Sequence, residues 1–366
     1  MRCEVPIRGV RVQAYTVPTD RPEADGTIAW DSTTLVLVEI EGGGKIGLGY
    51  TYSGACVAGL IRDKLAAEIK GKDAMAPQAC FEAMQRAVRN LGREGLAATA
   101  ISAVDTALYD LKARLLDLPL VRLLGARRDS IPVYGSGGFT TYHDTQLTDQ
   151  LTGWVRDQGI PRVKIKIGES WGTDESRDLA RIRKARTIIG PDVELYVDAN
   201  GGYTAAQAIR VGHAMADQDV RWFEEPVSSD DLDGLRRVRD AVAADVTAGE
   251  YGYDLPYFAR MVGTVDCLQA DVSRCGGISE WQRVAALAAA HNLQVSGHCA
   301  PALHVDAALA TPNLRHLEWF HDHTRIESML FDGVTEPDPG GVLRPDPSVP
   351  GNGLTFKAAD AEKYRI

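Results

Sequence analysis

Ionisable side chains recur in the second half of the chain, each at the end of a short apolar segment. The series is Lys166, Asp198, Glu224, Glu250, Asp271, His298 and Glu318, and its successive members lie 20 to 32 residues apart. Each residue alone has a structural explanation, such as a helix cap, a core histidine or a surface charge. A whole series that ends apolar segments in the same way indicates instead that these side chains meet at one place.

Three carboxylates in the middle of this series suggest a metal site. Asp198, Glu224 and Glu250 would come from three successive units of structure, so their oxygen atoms could converge on one ion. Carboxylates without His or Cys at these positions suit a hard, oxygen-preferring cation that keeps open positions for water or substrate. The sequence therefore predicts Mg2+ as the cofactor, with Mn2+ as the alternative.

Two lysines alternate with branched apolar residues in the segment 162–168, which reads RVKIKIG. An isolated strand would leave Lys164 and Lys166 in water, whereas a strand of a parallel barrel would point them into the interior. Buried ammonium groups need an opposing charge, which the carboxylates and their ion would supply. Two ammonium groups two residues apart lower each other's pKa, so we expect Lys166 to act as a neutral base.

The last members of the series add a second acid/base group. Asp271 and His298 would end adjacent strands, and an Asp that accepts one imidazole N–H fixes the tautomer and raises the basicity of the ring. A purely structural hydrogen bond is the alternative interpretation. Glu318 would complete the ring opposite the lysines. A base on each side of a divalent cation suits removal of a proton α to a carboxylate, with the cation bearing the charge of the resulting enediolate.

Eight apolar segments must position these groups. They cover 131–135, 163–168, 193–198, 220–224, 246–250, 267–271, 293–298 and 314–318. Helix-like amphipathic segments lie between them, such as 176–189 and 279–291. Near-continuous apolar strands separated by helices indicate a parallel sheet, and eight such units predict an α/β fold with a (β/α)8 barrel. The C-terminal face of such a barrel carries the active site.

The first 128 residues have a different pattern. Runs of β-formers at 10–17, 34–40 and 45–51 predict a β-meander, and helical spacing covers 95–116. The polar segment 18–32 between the first two runs is predicted as either a surface loop or a mobile flap. We expect a smaller N-terminal α+β domain over 1–128, the barrel over 129–331, and a Pro/Gly-rich segment over 332–366 that crosses back over the first domain.

The composition limits the classes of partner. With 45% hydrophobic and 25% charged residues, the chain is typical of a globular protein. A net charge of −10 argues against nucleic acid or an anionic membrane as a partner. No apolar stretch reaches the length of a membrane span or of a signal peptide, so we expect a cytoplasmic protein.

Short motifs around the candidate residues carry a family resemblance. They are KIK at 164–166, VDANGGY at 197–203, FEEP at 223–226, AGE at 248–250, QAD at 269–271 and SGH at 296–298. Together they resemble the mandelate racemase subgroup of the enolase superfamily, over nearly the full length of the chain. Residues 101–125 look like the last helix of the family's capping domain, and 350–356 like its returning tail.

The resemblance implies a role for each residue. Asp198, Glu224 and Glu250 would be the Mg2+ ligands. Lys166 would be the base on one face of the substrate, and His298, paired with Asp271, would be the acid/base on the other face. Lys164 would contact the substrate carboxylate, Glu318 would hydrogen-bond it, and Asn200 is a further candidate beside the metal or substrate. The segments 18–32 and 50–56 would close over the substrate and set specificity. The resemblance also implies a homo-oligomer, either a dimer or an octamer.

The resemblance implies a Mg2+-dependent lyase that dehydrates an acid sugar, an aldonate or aldarate, to a 2-keto-3-deoxy acid. Lys166 and His298 would divide the base and acid roles. One alternative is racemisation or epimerisation of a 2-hydroxy acid or acid sugar, and another is a barrel that binds a small carboxylate without catalysis. The muconate cycloisomerase subgroup is less favoured, because its lysine at the end of strand six is absent from ADVSR at 270–274.

Overall fold

The computed structural model describes residues 4–366. Residues 1–3, which the predicted N-terminal domain includes, lie outside the described residues. The chain begins with an antiparallel meander of β1 (Ile7–Ala24), β2 (Ala29–Gly42) and β3 (Lys45–Tyr52). The predicted meander is therefore present, with strands longer than the sequence pattern indicated.

The segment 18–32 is not the irregular loop that its composition predicted. Most of it belongs to β1 and β2, which form a long hairpin with an irregular register between Pro18 and Glu23. The hairpin turns within 25–28, where Asp25 Oδ1 accepts the backbone N–H groups of Thr27 and Ile28 at 2.6 and 2.8 Å. Because the Asp25 side chain forms the turn, the polar residues before and after it can continue the hydrogen-bond ladder between β1 and β2. The composition of the segment does not reveal this.

Helices cover one face of the meander. They are α1 (Cys56–Leu60), which continues through a π-helical segment (Ile61–Leu65) into α2 (Ala66–Ile69), then α3 (Pro77–Ala87), α4 (Leu96–Leu115) and α5 (Leu120–Leu124). The predicted helix over 95–116 matches α4 within one residue at each end. Strand β3 approaches α4 closely, because a Cβ on Gly47 would lie 2.3 Å from the Ala107 carbonyl oxygen.

Eight parallel strands form a closed barrel. They are β4 (Ile131–Gly137), β5 (Arg162–Lys166), β6 (Glu194–Asp198), β7 (Val220–Glu224), β8 (Asp245–Ala248), β9 (Cys267–Ala270), β10 (Gln294–Gly297) and β11 (Leu314–Phe320). Each strand pairs with the next, and β11 pairs with β4 to close the ring. The predicted (β/α)8 barrel is confirmed.

Helices surround the barrel. They are α6 (Asp144–Thr152), the short α7 (Glu169–Gly172), α8 (Glu175–Ile189), α9 (Ala205–Ala214), α10 (Leu232–Arg239), α11 (Leu255–Met261), α12 (Ile278–Ala290), α13 (Pro301–Leu309) and α14 (His321–Leu330). Within residues 4–366, no helix is both long enough and apolar enough to cross a membrane.

Large aromatic side chains fill the lower interior of the barrel. Tyr134, Tyr196 and Trp222 are fully buried and pack together, with Tyr196 stacked on Trp222 at 5.7 Å between ring centroids. The Lys164 ammonium lies 5.2 Å from the centre of the Tyr134 ring. This aromatic layer closes the barrel below the ionisable side chains, so polar groups collect at the C-terminal end.

The C-terminal segment returns to the first domain. It contains β12 (Phe331–Asp332), β13 (Val342–Leu343), β14 (Thr355–Phe356) and α15 (Ala358–Ala361). Strand β13 pairs with β4, the Asn352 N–H donates to Asp110 of α4, and the Ile366 N–H donates to the Ala14 carbonyl of β1. These contacts follow the expected path, while the domain bounds 1–128, 129–331 and 332–366 stay predictions.

Candidate active site

Both lysines of β5 point into the barrel, where carboxylates surround them. Lys164 and Lys166 are only 1% and 6% exposed. Lys164 Nζ forms a short hydrogen bond to Glu224 and lies 2.7 Å from Glu318 Oε1. Lys166 Nζ donates to Asp198 Oδ2 at 2.5 Å. The opposing charge that buried lysines need is therefore present in the fold.

The three predicted metal ligands converge at the C-terminal face. Asp198 and Glu224 end β6 and β7, and Glu250 follows β8. One carboxylate oxygen from each lies within 4.8 Å of the others, and all three side chains are buried. Three oxygen donors at the C-terminal ends of three neighbouring strands are a donor set that suits Mg2+.

The charge balance of the site also fits a cation. The buried carboxylates here are those of Asp198, Glu224, Glu225, Glu250, Asp271 and Glu318, whereas the lysine and arginine side chains that oppose them are those of Lys164, Lys166 and Arg274. Burial raises the pKa of Glu224 to about 8 although Lys164 opposes this shift, and burial and Glu250 raise the pKa of Glu225 well above its usual range. Glu225 Oε1 has no hydrogen-bond partner among the described residues. A divalent ion would offset this excess of negative charge.

The expected low pKa of Lys166 is wrong for this structure. Burial and the neighbouring Lys164 both lower the pKa of Lys166, but the carboxylate of Asp198 outweighs them and the net shift is upward. Lys164 is visible as a neighbour of Lys166 in the sequence, whereas Asp198, 32 residues away, reaches Lys166 only through the pairing of β5 with β6. In the described arrangement Lys166 is an ammonium group held by Asp198.

Asp271 and His298 form the predicted pair. His298 Nδ1 lies 2.8 Å from Asp271 Oδ2, and the other carboxylate oxygen accepts the Ser273 N–H at 2.6 Å. Burial raises the pKa of Asp271, but the His298 hydrogen bond and nearby charges hold it well below its usual range, so the imidazole must donate. Burial lowers the pKa of His298, while Glu250 and Asp271 more than offset this effect and raise it. His298 Nε2 lies 3.4 Å from Glu250 Oε2, so this nitrogen faces the metal ligands.

Glu318 lies beside Lys164, which corrects the expectation that it faces the lysines from across the ring. Its Oε1 also accepts the Ser136 hydroxyl at 2.6 Å, and its Oε2 accepts the Cys299 N–H at 3.0 Å. The reason is ring closure: β11 pairs with β4, which in turn pairs with β5, so Glu318 is only two strands from Lys164.

Asn200 lies at the edge of the metal ligands. Its backbone N–H donates to Asp198 Oδ1 at 2.9 Å. Its side-chain Oδ1 is buried and has no hydrogen-bond partner among residues 4–366. Asn200 therefore has an acceptor free for a metal-bound water or a substrate group.

A cavity of about 440 Å3 opens above these residues. Of the predicted residues, Lys166, Asn200, Glu250 and His298 line it. The others lie outside its lining, namely Lys164, Asp198, Glu224, Asp271 and Glu318. The β1–β2 hairpin and the end of β3 line the same cavity, through residues such as Trp30 and Tyr52. The two segments that were predicted to close over a substrate therefore do border it.

Several residues that shape the site are not among those predicted from the sequence. Arg274 Nη1 lies 3.3 Å from Glu250 Oε1, and Arg274 Nε lies 3.6 Å from Asp271. Trp222 Nε1 donates to Glu224 Oε2 at 2.8 Å. Trp222 could have been found, because it precedes Glu224 by two residues on the same face of β7. Arg274 lies in the turn after β9, where periodicity gives no signal.

Two family models match this chain. Residues 8–125 match the mandelate racemase / muconate lactonizing enzyme N-terminal domain, and residues 146–361 match the enolase C-terminal domain-like family. The chain belongs to the mandelate racemase/muconate lactonizing enzyme family of the enolase superfamily. The resemblance seen in the sequence motifs is thereby confirmed.

Individual members of this family are similar over nearly the whole chain. A mandelate racemase/muconate lactonizing enzyme-like protein from Rubrobacter xylanophilus is 50% identical, with a TM-score of 0.95, covering 99% of this chain and 100% of that one. D-galactarolactone cycloisomerase from Agrobacterium fabrum is 31% identical over 98% of this chain and 99% of its own. L-talarate/galactarate dehydratase from Salmonella typhimurium, liganded with Mg and L-lyxarohydroxamate, is 27% identical with a TM-score of 0.90, covering 99% and 93%.

Proposed function

We propose that the protein is a Mg2+-dependent dehydratase of an acid sugar. It would remove the C2 proton, expel the C3 hydroxyl and form a 2-keto-3-deoxy acid. The observation that carries this proposal is one cavity that contains Lys166 from β5, His298 after β10 and the predicted metal ligand Glu250. Two groups that can move protons thus border the space where a carboxylate substrate would bind.

Membership of the family supports the general class of this activity. The relatives described above include a dehydratase and a cycloisomerase, so the prediction of an enzyme of the lyase or racemase type is confirmed. The dehydratase structure contains magnesium, in agreement with the predicted cofactor. The choice of dehydration and of an acid sugar is our proposal.

Asp198, Glu224 and Glu250 would hold the ion. When bound, Mg2+ supplies positive charge that stabilises the substrate carboxylate as the α proton leaves. Lys164, in contact with Glu224 and Glu318, would keep these carboxylates in place from below and attract the anionic end of the substrate. Lys166 would accept the C2 proton. This step requires that Lys166 first release Asp198 and give up one ammonium proton to solvent, so that its Nζ is a neutral amine.

His298 would act as the acid. Its Nε2 faces the cavity and Asp271 holds the opposite nitrogen, so the ring can carry a proton at Nε2. As the electron pair of the C2–H bond forms the C2=C3 bond, the C3–O bond breaks and His298 donates its proton to the departing hydroxyl. The products of this step are water and an enol, which tautomerises to the 2-keto acid.

The test is a panel of aldonates and aldarates incubated with the Mg2+-loaded protein in D2O. A 2-keto-3-deoxy product supports dehydration. An undehydrated sugar that gains deuterium at C2 with inversion would support the alternative, epimerisation, because the same two groups could then serve the two faces of C2. Measured Mg2+ binding without exchange for any acid would favour the non-catalytic binding barrel and contradict the proposal.

A further inference from the structure

The candidate active-site cavity has two unlike walls. The barrel wall carries the ionisable groups described above. The far wall comes from the β1–β2 hairpin, the end of β3, the end of β11 and the start of α14, and it includes Trp30, Thr33, Tyr52, Phe320 and His323. If the carboxylate end of a substrate is held at the predicted metal ligands, as the proposed function requires, this far wall would contact its distal half.

Positive charge is confined to the barrel wall. Among the described residues that line the cavity, Lys166 and Arg274 are the only lysine and arginine. Lys166 is paired with Asp198. Arg274 is paired with Glu250 and Asp271, and its guanidinium lies over the Tyr251 ring at 5.4 Å. Neither cation is available to a group at the far wall.

The histidine of the far wall is neutral. His323 stacks on Tyr52 with 3.5 Å between ring centroids and 13° between planes. Its Nδ1 accepts the Ala300 N–H, which leaves that nitrogen unprotonated. Burial, together with the charge of His298, lowers the pKa of His323 well below its usual range. A substrate therefore meets an aromatic ring here and no imidazolium.

A second carboxylate on the substrate would have an unfavourable environment at the far wall. Asp25 is the acidic residue of the hairpin that lines the cavity, and its Oδ1 is already occupied by Thr27 and Ile28. The rings of Trp30 and Phe320 each contact Phe139 edge-on, at 5.6 and 5.8 Å between ring centroids. An anion placed among a carboxylate and aromatic rings loses its hydration without gaining a partner.

The groove beside the cavity gives no better position for an anion. It has a volume of about 470 Å3 and shares Asn200 and Tyr251 with the cavity. The carboxylates of Glu94, Glu225 and Asp230 line it, and its described lining contains no lysine or arginine. A distal carboxylate would thus be disfavoured in either direction.

We propose that the substrate is a monocarboxylate whose distal half is neutral, such as an aldonate, a sugar-acid lactone or an anhydro sugar acid, and that dicarboxylate aldarates are disfavoured. This inference rests on the proposed function, because it takes the carboxylate end to be held at the metal ligands. The Thr33 hydroxyl donates to Asp322, so its oxygen can accept a hydroxyl of the substrate. Trp30 and Phe320 can pack against the C–H faces of a sugar.

The test uses matched pairs that differ only at C6, namely galactonate with galactarate and gluconate with glucarate. For each pair, kcat/KM and the calorimetric dissociation constant are measured with the Mg2+-loaded protein. In the pair that reacts better, we expect the monocarboxylate to have a kcat/KM at least about 10-fold higher, and a dissociation constant at least about 10-fold lower, than the aldarate. An aldarate that binds and reacts as well as its partner would overturn the inference.

The variant Ile28→Arg places a cation at the far wall without disturbing the core, since Ile28 lines the cavity and is 60% exposed. We expect it to shift the ratio of aldarate to aldonate affinity at least about 5-fold toward the aldarate. Ile46→Arg is the matched control, because Ile46 is 41% exposed on β3 and lies outside the cavity lining. Equal shifts in both variants would indicate a general charge effect and contradict the inference.

The two proposals fail in different ways. If no acid exchanges its C2 proton but the calorimetric preference for monocarboxylates holds, the proposed dehydration is wrong and the inference about the distal half stands. If aldarates exchange and dehydrate as fast as aldonates, the proposed function stands and this inference is wrong.

Discussion

Charge in the candidate active site is arranged by individual contacts. Lys164 is almost fully buried, and its ammonium group touches carboxylates from β7 and β11 at once. Lys166 contacts Asp198 of β6. His298 lies between Asp271 and Glu250. Each proton-transfer candidate is therefore tied to a predicted metal ligand or to its own carboxylate partner, so its protonation state depends on that partner.

Lys166→Ala and His298→Asn test the two acid/base assignments. Each variant removes one group that would move a proton, so we expect kcat to fall by roughly 10²- to 10⁴-fold. The measurements are turnover of the acid-sugar substrate and deuterium exchange at C2, with circular dichroism to verify the fold. Near-normal turnover by either variant would show that its residue is not the acid or base.

Asp271→Asn tests whether Asp271 positions His298. The amide cannot stabilise a protonated imidazole and can reverse the tautomer, so we expect kcat to fall by about 10- to 100-fold while KM changes little. Nitrogen NMR of the ring should show loss of the Nδ1–H hydrogen bond. If the substitution lowers thermal stability but leaves the ring signal of His298 unchanged, Asp271 only supports the fold and the positioning role is contradicted.

The identity of the site residues could be predicted because strand ends repeat with the period of a βα unit. Their pairing could not be predicted fully. Glu318 is far from Lys164 in sequence, and only closure of the ring through β4 brings them together. Lys166 was assigned a low pKa because its sequence neighbour is Lys164, whereas its nearest partner in space is Asp198. The repeat in the sequence thus identifies the site residues. Which of their charges lie next to each other, and therefore the direction of each pKa shift, depends on how the strands pair.

At the scale of elements, the β1–β2 hairpin is fastened to α14 by polar contacts. Arg325 Nη2 donates to the Pro18 carbonyl at 2.7 Å and to Asp322 Oδ1 at 2.5 Å. Asp322 also accepts the Thr33 hydroxyl, and His321 Nε2 lies 3.0 Å from Asp20 Oδ1. Since Trp30 and Thr33 line the cavity, these contacts hold the hairpin wall in position over the barrel.

Arg325→Ala should loosen this hairpin. It removes the contact to Pro18 and leaves Asp322 with one partner fewer, so we expect KM to rise by about 5-fold with a smaller change in kcat. Hydrogen exchange should become faster in 18–24. Arg283→Ala is the matched control, because Arg283 pairs with Glu280 at i−3 on α12, a helix outside the hairpin and α14. An unchanged KM would show that α14 does not hold the hairpin.

Elements with strong periodicity were predictable, and the hairpin was not. Helix α4 follows its apolar spacing closely because most of its residues are buried between β3 and the barrel. The segment 18–32 contains Pro, Asp and Gly, which normally indicate a loop. Here Asp25 supplies the turn itself, Glu23 accepts the Trp30 indole N–H within the hairpin, and Asp20 contacts His321 of α14. A polar strand whose partners lie on another domain cannot be recognised from its own composition.

At the scale of the whole molecule, buried acids occur where the barrel meets the N-terminal domain. Asp105 of α4 accepts the Ser279 N–H and hydroxyl at 2.9 and 2.7 Å, and burial raises its pKa to about 7. Asp306 of α13 is 5% exposed, and burial together with Asp110 also raises its pKa to about 7. Such contacts join the N-terminal domain to the barrel across the domain boundary that the sequence pattern predicts at about residue 128. The predicted dimer or octamer and the cytoplasmic location concern properties beyond one chain and stay predictions.

Asp306→Asn should change how stability depends on pH. The pKa of Asp306 is about 7 in the folded protein, against 3.8 for an ordinary aspartate. Between these values the folded state binds one more proton than the unfolded state, so this residue makes the free energy of unfolding fall as pH rises. The slope is at most about 1.4 kcal/mol per pH unit. The amide does not titrate and can still accept the Val121 N–H, so the variant should lose this part of the slope.

The measurement is urea unfolding of both proteins at several values between pH 4.5 and 8. We expect the variant to gain stability relative to the parent protein as pH rises, by on the order of 1–4 kcal/mol across the window. Asp360→Asn, at an exposed position of α15, is the matched control and should leave the slope unchanged. A difference between Asp306→Asn and the parent that stays constant with pH would mean that Asp306 is ionised in the folded protein throughout, with a partner that compensates its burial.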